Sequence, residues 1–162
     1  MGKLLNIVTT LHESTKRDYL ARMVDDKIHC MKIAKQYGKD YWDGIRRYGY
    51  GGYKYIPDRW KPVAEKLIKT YNLNSESKVL DIGCGKGHLI FELSKILNSK
   101  NVYGIDISSY AKKNSPISIK NKIICLDARK KINYKKDYFD LVISINLIHN
   151  FSINDIFYFL KN

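Results

Sequence analysis

The pattern of apolar and polar positions predicts alternating strands and helices over the second half of the chain. Short apolar runs that suit strands lie at 79–82, 101–108, 122–129 and 137–150. After the first run, apolar side chains recur at helical spacing, at Leu89, Ile90, Leu93, Ile96 and Leu97. Strands that alternate with helices build a parallel sheet, so the pattern indicates an α/β fold.

The first half of the chain has a different pattern. Apolar residues near helical spacing predict a helix or a pair of helices over 14–37. The segment 37–60 is rich in tyrosine, glycine and arginine and has no strand or helix period. Asp58 is the expected N-cap of a helix over 59–71. We therefore divide the chain into a helical and aromatic extension, 1–72, and an α/β domain, 73–162.

Charge and cysteine content restrict the function only loosely. The 162 residues carry a formal net charge of +13, which invites a nucleic-acid partner. The lysines are scattered along the chain, which favours solvated surface charge or an anionic small substrate over a nucleic-acid track. The three cysteines are widely spaced and indicate neither a disulfide framework nor a metal site. With no apolar run long enough for a membrane span, we expect a cytoplasmic protein.

A glycine-rich turn, VLDIGCGKGHL at 79–89, follows the first predicted strand and opens the next helix. Glycines at 83, 85 and 87 let the backbone approach a ligand without a Cβ in the way. A strand, a glycine turn and a helix N-terminus together place backbone N–H groups beneath a nucleotide-like ligand. A turn in which glycines serve only tight packing is the alternative interpretation.

The spacing of the glycines separates two ligand classes. The dinucleotide pattern G-x-G-x-x-G would need a third glycine where His88 stands. The observed G-x-G-x-G, with Asp81 two residues before it, resembles motif I of class I S-adenosylmethionine-dependent methyltransferases. The resemblance implies a Rossmann-like parallel sheet, about four of whose usual seven strands are present here. It also implies S-adenosylmethionine as cofactor, bound in this turn by Asp81, Gly83, Cys84, Gly85 and Gly87.

Later strand ends are in register with that family. Asp106 ends the second strand about 20 residues after the turn, where an acid accepts hydrogen bonds from ribose hydroxyls. By resemblance, Ile107 is its neighbour in the site, Asp127 and Ala128 lie beside the adenine, and Asn146 lies at the mouth of the fourth strand. Each acid alone has a second interpretation, because strand-end aspartates often cap the next helix or turn.

The aromatic segment has two interpretations. As a lid, its rings exclude water and hold the sulfonium by cation–π attraction, while Arg46 and Arg47 hold an anionic acceptor. Tyr48, Tyr50 and Tyr53 are then the acceptor-binding tyrosines. As a packed loop, the same rings simply cover apolar surface.

A narrower resemblance concerns the acceptor. The runs Arg46–Tyr55 and Trp60–Glu65 resemble bacterial methyltransferases of surface-polysaccharide and capsule gene clusters. This implies a sugar, a nucleotide-sugar or a phosphorylated precursor as methyl acceptor. His149 is the candidate general base, with a capping or packing histidine as the alternative; His88 is expected to orient the turn or the cofactor.

Two other functions remain open at this point. The charge suggests an RNA methyltransferase, although the fourth strand lacks the Asp/Asn-Pro-Pro-aromatic motif of DNA amino-methyltransferases. The other is a non-catalytic cofactor-binding or partner protein. The chain stops shortly after the fourth strand, so it resembles a C-terminally truncated methyltransferase. We expect 141–145 to form an exposed edge strand that favours self-association and reduces turnover.

Overall fold

The structure, a computed structural model, describes residues 4–8, 11, 13, 20 and 26–161. Four parallel strands form one sheet in the order β3-β2-β1-β4, with β1 Val79–Ile82, β2 Val102–Asp106, β3 Ile123–Cys125 and β4 Leu141–Ile143. The described helices are α1 Lys27–Ala34, α2 Lys39–Trp42, α3 Lys61–Tyr71, α4 His88–Leu97, α5 Ser109–Lys113 and α6 Ile153–Phe159. This arrangement confirms the predicted α/β, Rossmann-like fold.

The third and fourth strands are shorter than predicted. After β3 the Leu126 N–H donates to the Asp106 carbonyl, and the chain turns at Asp127, whose carbonyl accepts from the Lys130 N–H. Asn146 has a left-handed backbone, with φ of 58°, which is incompatible with a continuing strand. A local turn therefore follows β3, and the left-handed Asn146 prevents β4 from extending to residue 150.

The main core lies between the sheet and two helices. Helices α3 and α4 pack on each other and on β1 and β2 through Val63, Ala64, Leu67, Leu93 and Val102, all of them buried. The two predicted parts of the chain, 1–72 and 73–162, therefore share one core.

The prediction that Asp58 is the N-cap of helix α3 is wrong. Trp60 is the N-cap and makes no side-chain capping bond. Asp58 has a φ of 61°, whereas an N-cap residue needs an extended backbone, and its carboxylate lies 3.9 Å from Lys61 Nζ instead. The chain therefore enters helix α3 after a left-handed residue, Asp58, and without a side-chain cap.

Some predictions fall partly outside the described residues. Helix α1 lies within the predicted 14–37 segment, but 14–19 and 21–25 are not described. Across the described ranges, no helix is long and apolar enough to cross a membrane, and no group of His, Cys, Asp and Glu is arranged to hold a metal.

Strand β4 pairs only with β1 and lies at one edge of the described sheet. Helix α6 exposes Ile153, Phe157 and Leu160. Self-association through this edge stays a prediction.

Gly104 in β2 provides a test of how closely the glycine turn packs on the sheet. A Cβ at this position would lie 2.6 Å from Cys84 Sγ and 3.0 Å from Ile90 Cδ1. We expect Gly104→Ala to lower the free energy of unfolding by about 1–3 kcal/mol through overpacking, measured by urea denaturation. Adding Cys84→Ala removes the sulfur. The free energy of unfolding that the double variant loses should therefore be smaller than the sum of the losses of the two single variants. Simple additivity would contradict this account.

Candidate functional site

The glycine turn between β1 and α4 requires its glycines. Gly83, Gly85 and Gly87 have φ values of 83°, 57° and 74°, in the left-handed region that disfavours side chains. The N–H groups of Gly83 and Cys84 both donate to the Ile105 carbonyl, at 2.7 and 3.1 Å. The turn is therefore fastened to the end of β2, which brings the acids of both strands to one edge of the sheet.

Asp106 is the last residue of β2 and lies at the same edge of the sheet. Its Oδ2 accepts from the Gly85 N–H at 2.7 Å and its Oδ1 from the Ser108 N–H at 2.8 Å. Burial raises the pKa of Asp106, although the two hydrogen bonds oppose the rise. Each carboxylate oxygen retains acceptor capacity for a further donor.

Asp81 is the buried acid of the first strand. It is 4% exposed, it faces a cavity, and its side chain has no hydrogen-bond partner within the described ranges. Burial, and then the negative charge of Asp106, raise the pKa of Asp81 to about 7. A buried carboxylate without a partner is costly, so this position is suited to a cationic or hydrogen-bond-donating ligand.

Trp42 lies directly over the glycine turn. Its indole N–H donates to the Tyr37 carbonyl at 3.0 Å and to Ser108 Oγ at 2.9 Å. A Cβ at Gly85 would lie 2.8 Å from the Trp42 ring, so only glycine permits this approach. Tyr50 stacks on Trp42 with ring centroids 5.1 Å apart and an interplanar angle of 4°.

A second contact fastens the aromatic segment to the turn. Lys86 is 5% exposed, and its Nζ lies 2.7 Å from both carboxylate oxygens of Asp43. Asp43 also accepts from the Tyr110 hydroxyl at 2.9 Å and the Tyr53 N–H at 3.1 Å. Burial alone would raise the pKa of Asp43, but the bonds from Lys86 and Tyr110 lower it overall.

Two adjoining cavities lie at this edge of the sheet. The first has a volume of about 470 Å³ and contains Asp81, Gly85 and His88 in its wall. The second has a volume of about 320 Å³ and contains Asp106 and Asp127. Their common wall consists of Trp42, Tyr50, Gly83, Ile145 and Asn146. An elongated ligand can thus occupy both cavities on either side of the stacked rings.

His88 is buried in the wall of the first cavity. Its ring stacks on Tyr53 with centroids 4.7 Å apart and an interplanar angle of 15°. Burial, and then the charge of Lys86, lower the pKa of His88 to about 4. The imidazole is therefore neutral near pH 7 and can orient a ligand by a hydrogen bond.

Most of the site residues predicted from the sequence meet at the two cavities. The first is lined by Arg46, Tyr50, Tyr53, Asp81, Gly83, Cys84, Gly85 and Asn146. The second is lined by Tyr50, Gly83, Asp106, Ile107, Asp127, Ala128 and Asn146. Four predicted residues line neither cavity: Arg47, Tyr48, Gly87 and His149.

The four residues outside the cavities have other surroundings. Gly87 faces the core, where a Cβ would lie 2.5 Å from Ile119 Cδ1. The Arg47 guanidinium lies 5.9 Å from the centre of the Tyr48 ring. His149 is exposed, in a short 3₁₀ turn after β4. The geometry therefore offers His88, not His149, as the histidine that faces a ligand.

Asp127 is paired within the second cavity. Its Oδ2 lies 2.6 Å from Arg129 Nη2, and its Oδ1 accepts from the Arg129 Nε at 3.0 Å. This guanidinium lowers the pKa of Asp127. Sequence reasoning missed Trp42 and the Asp43–Lys86 pair, because each acts through a contact between distant parts of the chain. It also missed Arg129, although this residue lies only two positions after its partner Asp127.

Asp81→Asn provides a test of the buried charge. Because the pKa of Asp81 rises from 3.8 to about 7 on folding, its contribution to stability is full below pH 4 and is lost as the pH rises to about 7. The stability difference between Asp81→Asn and the parent should therefore shift in favour of the variant by up to about 4 kcal/mol between pH 4 and pH 8. Urea denaturation across this range measures the difference, and a pH-independent difference would show that Asp81 is not destabilised by burial.

Comparisons with known proteins agree with this geometry. A family model described as a methyltransferase domain matches residues 79–162. A relative from Methanococcus maripaludis, named "Probable cobalt-precorrin-6B C(15)-methyltransferase (decarboxylating)", is 38% identical over 102 residues, 63% of this chain and 50% of the relative. A protein of the same name from another strain is 51% identical over 65 residues, 40% of this chain and 35% of the relative. The chain thus spans half the length, or less, of these curated relatives.

Two solved structures share the fold. A crystal structure from Methanococcus maripaludis, described as an S-adenosyl-L-methionine-dependent methyltransferase, matches with a TM-score of 0.53 and 18% identity over 90% of this chain and 59% of that one. A SAM-dependent methyltransferase from Aquifex aeolicus matches with a TM-score of 0.51 and 24% identity over 66% of this chain and 60% of that one. Because the family model covers just over half of the sequence, the chain belongs to the methyltransferase domain family.

Proposed function

We propose that the chain binds S-adenosylmethionine across the two cavities and transfers its methyl group to a small acceptor that carries anionic groups. The observation that carries the proposal is Asp81, a buried carboxylate without a partner within the described ranges, placed at the glycine turn of a methyltransferase domain. The amino-acid end of the cofactor has an ammonium group, which matches that carboxylate.

The second cavity suits the adenosine end. Asp106 has remaining acceptor capacity for ribose hydroxyls, and Ile107 and Ala128 offer apolar contact for a planar base. Asp127, predicted to accept from the adenine amine, already binds Arg129. Adenine therefore shares this carboxylate with the guanidinium or displaces it.

The aromatic wall between the cavities suits the reacting centre. When bound, S-adenosylmethionine supplies an electrophilic methyl group on a positively charged sulfur. Trp42 and Tyr50 line this wall beside Gly83. The faces of aromatic rings attract a cation, and their apolar surface excludes water. The chain contributes mainly alignment and exclusion of water, the requirements of a displacement at carbon.

The acceptor is proposed at the level of charge. The curated relatives are named for a cobalt-precorrin, and those relatives give no support to the sugar or polysaccharide acceptor predicted from the sequence. Arg46 in the wall of the first cavity favours an anionic group on the acceptor.

Calorimetry with S-adenosylhomocysteine tests the proposal. Asp106→Ala should weaken binding by about 1.5–3 kcal/mol, the scale of hydrogen bonds to a charged group. The matched control is Asp140→Ala, because Asp140 also accepts a backbone N–H, from Lys78 at 2.7 Å, but lies outside both cavities. If the two folded variants bind S-adenosylhomocysteine with equal affinity, the assignment of Asp106 to the ribose is wrong. If the protein binds NADH and not S-adenosylhomocysteine, the assignment of the cofactor is wrong.

The pH dependence of binding tests Asp81 separately. Because its pKa is about 7 in the unliganded protein, the carboxylate that pairs with ammonium forms only as the pH rises through that value. S-adenosylhomocysteine should therefore bind about tenfold more tightly at pH 8 than at pH 6. Asp81→Asn should bind weakly, with an affinity that does not change over this range. A flat profile in the parent would exclude Asp81 as the partner of the ammonium group.

A further inference from the structure

We infer that the first cavity contains an anion-binding subsite formed by Arg46, Lys54 and Arg59, which takes an acceptor with at least two carboxylate or phosphate groups. This inference deepens the proposed function, on which it rests for the identity of the ligand as methyl acceptor. Arg59 and Lys54 were not among the site residues predicted from the sequence.

The charged side chains that line the first cavity differ in how deeply they are buried. Arg46, Lys54 and Arg59 are exposed, whereas Asp81 is 4% exposed. Asp81 is the only carboxylate among the described residues that line this cavity. The ammonium group of the cofactor would therefore meet the buried negative charge, and an acceptor nearer to solvent would meet three positive charges.

The nearby carboxylates are engaged elsewhere. Asp43 binds Lys86, and Asp58 lies 3.9 Å from Lys61. Glu92, which is 1% exposed, accepts from the Tyr55 hydroxyl. None of these three acids lines the cavity, so within the described part of the chain the positive charges there are not neutralised by a side chain.

Backbone contacts hold Arg46 in place. Its Nη1 donates to the carbonyls of Gly49 and Tyr50, at 3.0 and 2.8 Å. A guanidinium has five N–H donors in a fixed plane, so donors remain for a carboxylate or phosphate. A side chain fixed in this way loses less conformational freedom when it binds an anion.

Arg59 lies in the wall of the same cavity as Arg46. Both Arg59 and Tyr53 line this cavity, and the rise that burial causes in the pKa of Tyr53 is opposed in part by the positive charge of Arg59. Tyr53 in turn stacks on His88 within the same cavity. Two arginines therefore line one cavity together with aromatic side chains, a combination that suits a ligand with an apolar body and two anionic groups.

The structure separates this subsite from the arginine pair predicted from the sequence. Arg47 lies against Tyr48, outside the lining of the cavity, although it is adjacent to Arg46 in the chain. Arg59, 13 positions after Arg46, provides the second guanidinium instead.

Calorimetric titration of the full chain with two probes tests the subsite. Pyrophosphate represents phosphate groups and citrate represents carboxylates, each at low ionic strength in the presence of saturating S-adenosylhomocysteine. We expect at least one probe to bind, and Arg46→Gln, Lys54→Gln and Arg59→Gln each to weaken it about three- to tenfold. The matched control is Lys69→Gln, which removes an exposed charge on α3 outside the cavity and should leave the affinity within twofold.

The outcomes separate this inference from the proposed function. Failure of both probes to bind the parent, or equal weakening by Lys69→Gln and Arg59→Gln, overturns the subsite. Failure of S-adenosylhomocysteine to bind overturns the proposed function, and titration of the cofactor-free protein then still decides whether the subsite exists. Preference for pyrophosphate or for citrate identifies which anionic group the subsite takes.

Discussion

The ion pair between Lys86 and Asp43 is the contact on which the site depends. Lys86 belongs to the glycine turn and Asp43 to the aromatic segment, and the lysine nitrogen lies 2.7 Å from both carboxylate oxygens. The net stability of a partly buried pair is small, because desolvation offsets much of the attraction. Its importance lies in position: it fixes the residue next to Trp42, and so places that ring over Gly85. Together with the indole hydrogen bonds to Tyr37 and Ser108, this contact holds Trp42 in the common wall of both cavities.

The site also depends on how charge is distributed along it. Two buried carboxylates, Asp81 and Asp106, lie at the end of the sheet, and the negative charge of Asp106 adds to the cost of ionising Asp81. The exposed cations of the first cavity lie farther from the core. Because buried carboxylates and exposed cations line adjoining parts of the site, a ligand must match the sign of the charges that it meets there.

The sequence predicted the parts of the molecule that local chemistry determines. The glycines of the turn, the acid that ends β2 and the amphipathic helix α4 all follow from spacing and backbone conformation. The ends of β3 and β4 could not be predicted, because hydrogen bonds to Asp106 and a left-handed Asn146 determine them. The prediction that Asp58 caps helix α3 was wrong because the backbone of Asp58 is left-handed, which residue type and spacing did not reveal.

The side chains of the site were harder to predict than its backbone. Lysines are rarely buried, so nothing in the sequence marked Lys86 as a structural residue. Adjacent arginines were read as a pair, whereas the chain brings Arg59 rather than Arg47 to the cavity. His149 follows β4 in sequence, but a short turn leaves it exposed. Such assignments depend on tertiary contacts that neither spacing nor composition records.

The chain has two tryptophans, Trp42 and Trp60, and both line the first cavity. Trp42 is buried and stacked on Tyr50, while Trp60 is partly exposed. Tryptophan emission responds to the polarity and the quenching groups around the indole. When tryptophan is excited selectively over the tyrosines, the emission of the unlabelled protein therefore arises from the walls of the site alone, and changes in it report on the two cavities that Trp42 and Trp60 line.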